Sequence, residues 1–532
     1  MAASLIVKVF GAIFKIPLTN IIGVSAMAYF NTAYSFYVIF YMISTAGIPV
    51  ALSKMISSAD AKGNKKEVDK IFKVAYVLFF ILGLVGALFM IAFAKKYSGY
   101  VKLSGLEYAI LAITPTLFFM CITSAYRGYF QGMKNMAPTA ISQIIGAVGK
   151  LFLGLIVAII SVKLGAPDHM VAAFTILGIT VGSIGSTFFL SVYKRISDKK
   201  DSTYDNSIQN VSPSGKLLKE LIEIAIPITL SATILSLTNT IDTTFMVRRL
   251  AYAGTAVKEA TKIMGAYTSM AVPLFNLTPN LIYPFAISVI PSITAMYVNK
   301  KTEDANNIIS STFRISSLIS IPCSLGLSIF ARPIVSLLYD SKDKIILPFQ
   351  SEEVSAVSIA AEMLSILSIA IFFVSMVSVT NGVLQAHGKE KLTIISTTVG
   401  ILFKVVLNYV LIGTKSIGYY GAPLSTLVCY FVITVLNFYF LIKYCNYYPK
   451  IIKTVLKPLV SSLISVGGSA LIYKIIVGKL GSSLSTVTSI FIAAILYFII
   501  IFAIRGVDKE DIRMLPKGEK LVNLFIKLKF LR

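Results

Sequence analysis

Apolar runs long enough to cross a bilayer recur from one end of this 532-residue chain to the other. A helix needs about 20 consecutive apolar residues to span a hydrocarbon core about 30 Å thick. About fourteen runs qualify: 2–23, 28–53, 71–94, 107–131, 138–162, 170–193, 219–247, 265–297, 308–330, 356–385, 391–413, 422–443, 455–477 and 486–504. Inside lipid every backbone polar group must be satisfied within its own segment, so runs of this kind predict helices. Hydrophobic residues make up 56% of the chain and charged ones 14%, which excludes a string of soluble domains. The first run lacks the flanks of a cleavable signal and is expected to be a first span. The expected fold class is therefore all-α, a polytopic membrane protein of about fourteen transmembrane helices.

An even number of spans puts both termini on one side, and loop charge decides which side. Loops on the side of the termini hold about 27 Lys and Arg against about 13 opposite. By the positive-inside rule both termini are expected in the cytoplasm. The net charge of +25 is then loop charge meeting anionic lipid headgroups, and no nucleic-acid partner is expected. The four cysteines have no metal-ligand spacing and no disulfide is expected. Residues 194–219 are polar and turn-rich, and residues 505–532 are basic and partly amphipathic, suited to the inner membrane face.

The two halves look like copies. Thr139, Ser142, Gly146 and Lys150 recur as Thr393, Ser396, Gly400 and Lys404, an offset shared by Gly128 and Gln131 with Gly382 and Gln385. Phe118-Phe119 matches Phe372-Phe373 in the same way. Two six-helix lobes of one orientation follow, with two C-terminal helices added. Such repeats are the plan of transporters, whose substrate cavity lies centrally between the lobes. The expected division is an N-lobe at 1–193, a cytoplasmic linker at 194–218, a C-lobe at 219–443, a helix pair at 444–504 and a basic tail at 505–532.

The chemistry is carried by charges within spans. In the first run, Lys8 and Lys15 are seven residues apart, which returns them to within roughly 20° of one helix face. Gly11, Ala12 and Thr19 share that face. A lysine at membrane depth costs about 2.5–3.5 kcal/mol on insertion scales, and such residues normally face a bundle interior or a wet cavity. Lys8, near the end of the run, can equally snorkel to the headgroups. Arg127 stands next to Gly128 at a helix end, where headgroup binding and capping of carbonyls compete with a ligand role. Lys150 and Lys404 occupy equivalent repeat positions, so a shared structural role stands beside substrate contact. Asp242 is the one acid deep in an apolar run, a candidate for a coupling or gating ion pair or for a static one. Four prolines (Pro273, Pro279, Pro284 and Pro291) crowd the eighth span, which must bend or unwind.

Two motifs carry a resemblance. At 47–54 (GIPVALSK) and 124–143 (SAYRGYFQGMKNMAPTAISQ) the chain resembles the polysaccharide-export and lipid II flippase branch of the MOP superfamily, with MurJ-like and stage V sporulation protein B-like members nearest. The resemblance implies fourteen helices in two lobes around a V-shaped cavity. It also implies transport of undecaprenyl-pyrophosphate-linked sugars, lipid II foremost, to the outer leaflet by alternating access. That family lines its cavity with basic residues from the first two helices, and the matching positions are Lys15 and Lys54, with Lys8 on the same stripe. A lysine binds phosphate as a point charge rather than a bidentate fork. The family's arginine in the eighth helix has no counterpart in 266–273 (AYTSMAVP). Some members hold sodium between an Asp of the seventh helix and polar groups of the eleventh. Asp242 fits the first, but Lys404 and Asn408 stand at the second, and a lysine there would repel the ion. No metal and no cofactor are expected, and Asp242, Lys404 and Asn408 remain coupling or gating candidates.

Competing readings differ in the residues they need. Another polyprenyl-linked polysaccharide unit would suit the same cations. A multidrug exporter of the superfamily binds organic cations and wants acids, where the first helix offers lysines. A membrane enzyme needs a carboxylate pair or a nucleophile on a polar loop. Only Asp198 and Asp201 qualify, in the linker, while His169 and His387 form no site. No Walker-type glycine loop is present. The expectation is a transporter, not an enzyme, working as a monomer with a lipid-linked sugar and anionic lipids as partners.

Overall fold

The computed structural model describes residues 2–200, 211–299, 301–348, 353–514, 518–519 and 522–523, without the side chains of 2–10, 12, 13, 198–200, 227, 231, 235, 239, 287 and 298. Lys8, Asp198, Asp201, most of the linker and most of the amphipathic tail therefore lie outside the described residues or side chains. Twelve helical stretches are long and apolar enough to cross a membrane. Two of them, Phe14–Ala61 and Ile452–Ala503, are each long enough for two crossings, which accounts for about fourteen spans.

The chain divides into two compact units, and each is described by itself. The first contains α1 (Ala2–Thr45), α2 (Ile48–Ala61), α3 (Lys65–Val101), α4 (Leu106–Gly132), α5 (Ala137–Lys163), α6 (Asp168–Lys200), α7 (Ser214–Tyr252) and α8 (Val257–Ala266), together with residues 341–351. A straight 44-residue helix would be about 66 Å long, twice a hydrocarbon core. α1 is broken at Gly23, whose φ of 76° and ψ of 169° suit glycine alone. The break frees the Val24 amide, which donates to Asp343 Oδ2 at 2.9 Å.

Packing in this unit has the inverted logic of a membrane protein. α3 buries Ala75, Phe79, Gly83, Ala87, Met90 and Ala94 along one face, while Ile81, Leu84, Val85 and Leu88 are exposed. In lipid those large side chains are the outer wall, and small residues let the helices approach. α5 and α6 approach closely: a Cβ on Gly149 would lie 2.6 Å from the Gly182 Cα, and one on Gly178 at 2.6 Å from the Gly154 Cα. Hydroxyl pairs join α4 to α6, Thr116 with Thr180 at 2.9 Å and Thr123 with Thr187 at 2.8 Å.

The second unit contains α9 (Val272–Val298), α10 (Thr302–Ile329), α11 (Ala331–Leu338), α12 (Ala356–Ala386), α13 (Glu390–Ile412), α14 (Gly421–Cys445), α15 (Lys457–Ala503) and α16 (Lys509–Arg513). Among the described residues the only strands are two of three residues, Lys344–Ile346 and Glu353–Ser355. The proline-rich span does not unwind. A π-helical turn, Tyr267–Ala271, precedes Pro273, and Pro279, Pro284 and Pro291 remain inside α9. Gly481, at φ 74° and ψ 164°, divides α15 as Gly23 divides α1. The repeated motif makes the same local bond in both copies, Ser142 Oγ to the Thr139 carbonyl at 2.8 Å and Ser396 Oγ to the Thr393 carbonyl at 3.1 Å. The four cysteines are free thiols.

Candidate functional site

A cavity of about 260 Å³ opens inside the first unit, walled by α1, α4, α5 and α6. The interrupted α1 contributes from both of its halves, Gly11 and Phe14 before Gly23 and Tyr34, Tyr37 and Tyr41 after it. Those tyrosines recur at three- and four-residue spacing, so one helical face presents them together. α4 contributes Arg127, and α5 contributes Gln143 and Lys150.

Both cations are positioned by neighbours that carry no charge. The Lys150 ammonium lies 4.9 Å from the Phe14 ring centroid and 5.4 Å from that of Tyr34, so it rests on aromatic faces from both halves of α1. Such a contact is worth about 2 kcal/mol when desolvated. Arg127 donates through Nε to Ser142 Oγ at 3.0 Å. Ser142 in turn donates to the Thr139 carbonyl, and its own carbonyl accepts from Ser186 Oγ at 2.8 Å. No acid lines the cavity, and among the described residues neither cation has a carboxylate within ion-pair distance.

The residues expected from the sequence fall differently. Lys15 is partly exposed on α1, its carbonyl accepts from the buried Thr19 Oγ1 at 2.8 Å, and it is within electrostatic reach of Lys150. Gly11, on the same stripe, lines the cavity. Lys54 is exposed on α2 and is not among the lining residues. Asp242 is buried on α7, with the Tyr267 hydroxyl 3.4 Å from its Oδ2. In the second unit Lys404 and Asn408 are fully buried on one face of α13, and Asn408 Nδ2 donates to Ser425 Oγ at 3.1 Å. Among the described residues no three His, Cys, Asp or Glu side chains gather as a metal-holding group. His169, at the start of α6, stacks on Tyr108, a packing role.

Sequence reasoning did not single out the cavity. Arg127 and Lys150 each carried a structural reading as strong as the functional one, and what joins them is the fold. The tyrosine spacing in α1 was the legible signal. The repeat also shows why the second copy differs: Arg127 and Ser142 correspond to Asn381 and Ser396. There Asn437 links the neutral pair, accepting from Ser396 Oγ at 2.5 Å and donating to Asn381 Oδ1 at 2.9 Å. An amide network occupies the place that the cation holds in the first copy, so of these two positions only Arg127 is charged.

Comparison with known proteins agrees with this architecture. The chain is 25% identical over 477 residues to "Lipid II flippase MurJ" of Bacillus subtilis (strain 168), covering 86% of this chain and 84% of that protein. It is 23% identical over 523 residues to "Stage V sporulation protein B" of the same organism, covering 98% and 97%. The fold is that of a solved lipid II flippase MurJ in an inward closed conformation, with a TM-score of 0.66 at 15% identity over 94% of this chain and 97% of that one. The MatE family matches residues 227–410. The family described as Polysaccharide biosynthesis protein matches residues 1–297, more than half of the chain. A multi-span helical protein with this match over more than half of its length belongs to the Polysaccharide biosynthesis protein family.

Proposed function

We propose that this protein is a flippase that carries a polyprenyl-diphosphate-linked saccharide, lipid II being the first candidate, from the inner to the outer leaflet of the plasma membrane. The observation that carries this reading is the pair of cations without an ion-pair partner, Arg127 and Lys150, lining a cavity of the first unit that has no acid, with Lys15 within electrostatic reach of Lys150. A diphosphate dragged bare through hydrocarbon loses its hydration, and fixed cations with polar neighbours replace part of it. The isoprenoid tail stays in lipid. The same charges disfavour organic cations, which counts against multidrug export.

The reading includes Lys15, Lys54 and Lys8 as contacts for the anionic headgroup, and Asp242, Lys404 and Asn408 as coupling or gating groups. It also includes a monomer with both termini in the cytoplasm, working as a transporter without enzymatic chemistry. Membrane potential is the natural drive, since moving one charge is worth about 2.3 kcal/mol per 100 mV. The test is reconstitution in vesicles with a fluorescent lipid-linked saccharide. Transfer between leaflets that depends on the protein supports the reading, and a rate equal to protein-free vesicles contradicts it.

A further inference from the structure

We propose that a cleft at one end of the second unit, between α11, the first turn of α12 and the break in α15, binds an anionic phospholipid of the bilayer, with Arg332 and Lys474 as its charged ligands. The site shares no residue with the cavity of the first unit, and it takes from the proposed function only the orientation of the chain.

Its level in the membrane follows from α15. The break at Gly481 leaves a stretch of crossing length on either side, so the break lies at one membrane face and Ala503 at the other. With both termini in the cytoplasm, the face at Gly481 is the outer one. Ser482 follows the break directly, and Tyr473 and Lys474 stand about two turns before it. A tyrosine at that level suits the boundary between hydrocarbon and headgroups.

The cleft holds about 560 Å³. Sites for small molecules occupy roughly 300–1,000 Å³, so there is room for a lipid headgroup with some water but not for whole acyl chains. Arg332 and Ser336 are four residues apart on α11 and share its exposed face, while Ala331 and Val335 are buried. Lys474 enters from α15. Both cations are exposed, and among the described residues neither makes an ion pair or a hydrogen bond. No Asp or Glu lines the cleft. Basic pockets between membrane helices are the usual seats of anionic headgroups.

Hydroxyls supply the rest. Ser355 Oγ accepts from the Val357 amide at 3.2 Å and keeps its own proton to donate. Tyr473 Oη lies 3.5 Å from Ser482 Oγ, a long contact that leaves both groups open to a better partner. Ser336 donates to the Pro333 carbonyl at 3.1 Å, so its oxygen is left to accept. A phosphodiester needs donors, and a glycerol headgroup both gives and takes hydrogen bonds. Phosphatidylglycerol matches both halves of this set.

The surrounding wall selects a lipid over a free anion. Leu471 and Ile475, beside Lys474 on α15, are 64% and 71% exposed, and the half-exposed Ile329 lines the cleft itself. In a bilayer these side chains meet acyl chains. A lipid whose headgroup enters the cleft lays its tails along that wall, whereas a soluble anion gains nothing from it. The buried Phe330 meets the Tyr473 ring edge-on at 5.9 Å and fixes that side of the cleft. The competing explanation is that Arg332 and Lys474 only snorkel to the headgroup layer, which would hold no particular lipid.

The chain contains no tryptophan, so Tyr473→Trp places a single fluorescent reporter in the cleft and keeps an aromatic ring there. The full-length protein is reconstituted in symmetric vesicles of phosphatidylcholine and phosphatidylglycerol, with one lipid or the other brominated on its acyl chains. Quenching gives the relative association of the two lipids beside the reporter, whichever way the protein is inserted. Phe93→Trp is the comparison, because the Lys96 ammonium lies 5.4 Å from that ring and no cleft is formed with it. It reads what a snorkelling lysine does by itself.

The preference for phosphatidylglycerol at position 473 is expected to exceed that at position 93 at least threefold. Arg332→Gln with Lys474→Gln should bring it down to the value at position 93, and each single variant should lower it at least 1.5-fold should the double variant not fold. Equal preference at the two reporters overturns the site and leaves snorkelling. A preference at position 473 that the glutamine variants retain in full overturns it too, because the two cations are then not its ligands.

Discussion

Arg314 of α10 grips Asp511 of α16 through three hydrogen bonds, two from Nε at 3.1 and 3.0 Å and one from Nη2 at 2.8 Å, with both side chains buried. Asp508, which caps α16, lies 3.3 Å from the same guanidinium and 3.4 Å from Lys453. An arginine inside an apolar span thus closes an internal ion pair with the segment that follows the last span. Removing one partner strands a buried charge, which costs about 3–5 kcal/mol, whereas replacing both by apolar groups can be neutral. Asp511→Ala should therefore lower the unfolding midpoint in detergent markedly. The double variant Arg314→Met with Asp511→Leu should recover much of the loss. An Asp511→Ala protein as stable as wild type would contradict this role.

The broken first helix gives a second prediction. Gly23 sits in a backbone region that costs other residues about 1–3 kcal/mol, and a Cβ there would lie 3.1 Å from Asp343 Oδ2. Asp343→Ala instead removes the acceptor for the Val24 amide, a capping loss of about 0.5–2 kcal/mol. Gly23→Ala and Asp343→Ala should each be less stable than wild type in thermal unfolding. Because they act on one contact, the double variant should lose less than the sum of the two.

Transport should depend on the cations of the first unit. Lys15→Ala is expected to reduce transfer of a lipid-linked saccharide more than tenfold, with the protein inserted at normal levels. Lys54→Ala should do the same, and it is the sharper test because an exposed side chain is cheap to truncate. Normal flux through both variants would remove the lysine stripe from the mechanism.

His387, between α12 and α13, gives a pH dependence. Its Nδ1 lies 2.8 Å from the Val383 carbonyl, and its ring packs on Tyr297 with centroids 4.1 Å apart. Burial, helped by Lys389, holds the imidazole pKa below its ordinary value, and the carbonyl contact opposes this only in part. The unfolded chain then binds the proton more readily than the folded one. The stability tied to a neutral His387 is complete above the ordinary histidine pKa and is lost as pH falls through it towards the lower folded-state pKa. His387→Gln should flatten the acid side of a plot of unfolding temperature against pH. An unchanged slope would assign it to other groups.

The helical, multi-span class and the repeat were legible in the sequence because spanning length and an offset of motifs need no tertiary information. The site was less so. Lys150 and Lys404 share a repeat position, yet one faces a cavity and the other is fully buried on α13. Arg314 and Arg127 read alike as arginines in or beside spans, and only their neighbours separate a closed ion pair from an open guanidinium. Arg314's partner lies 197 residues away, a distance that no local pattern covers. The break in α1 was hidden too, because one glycine in an apolar run does not announce a left-handed φ.

The most direct test of the account is outer-leaflet exposure of lipid II in cells stripped of their own flippase and supplied with this protein. The account predicts that exposure returns with the wild-type chain and fails with Lys15→Ala and Lys150→Gln at equal membrane levels. Wild-type protein that is correctly inserted but restores no exposure would contradict lipid II as the cargo. Full restoration by both variants would contradict the cationic mechanism.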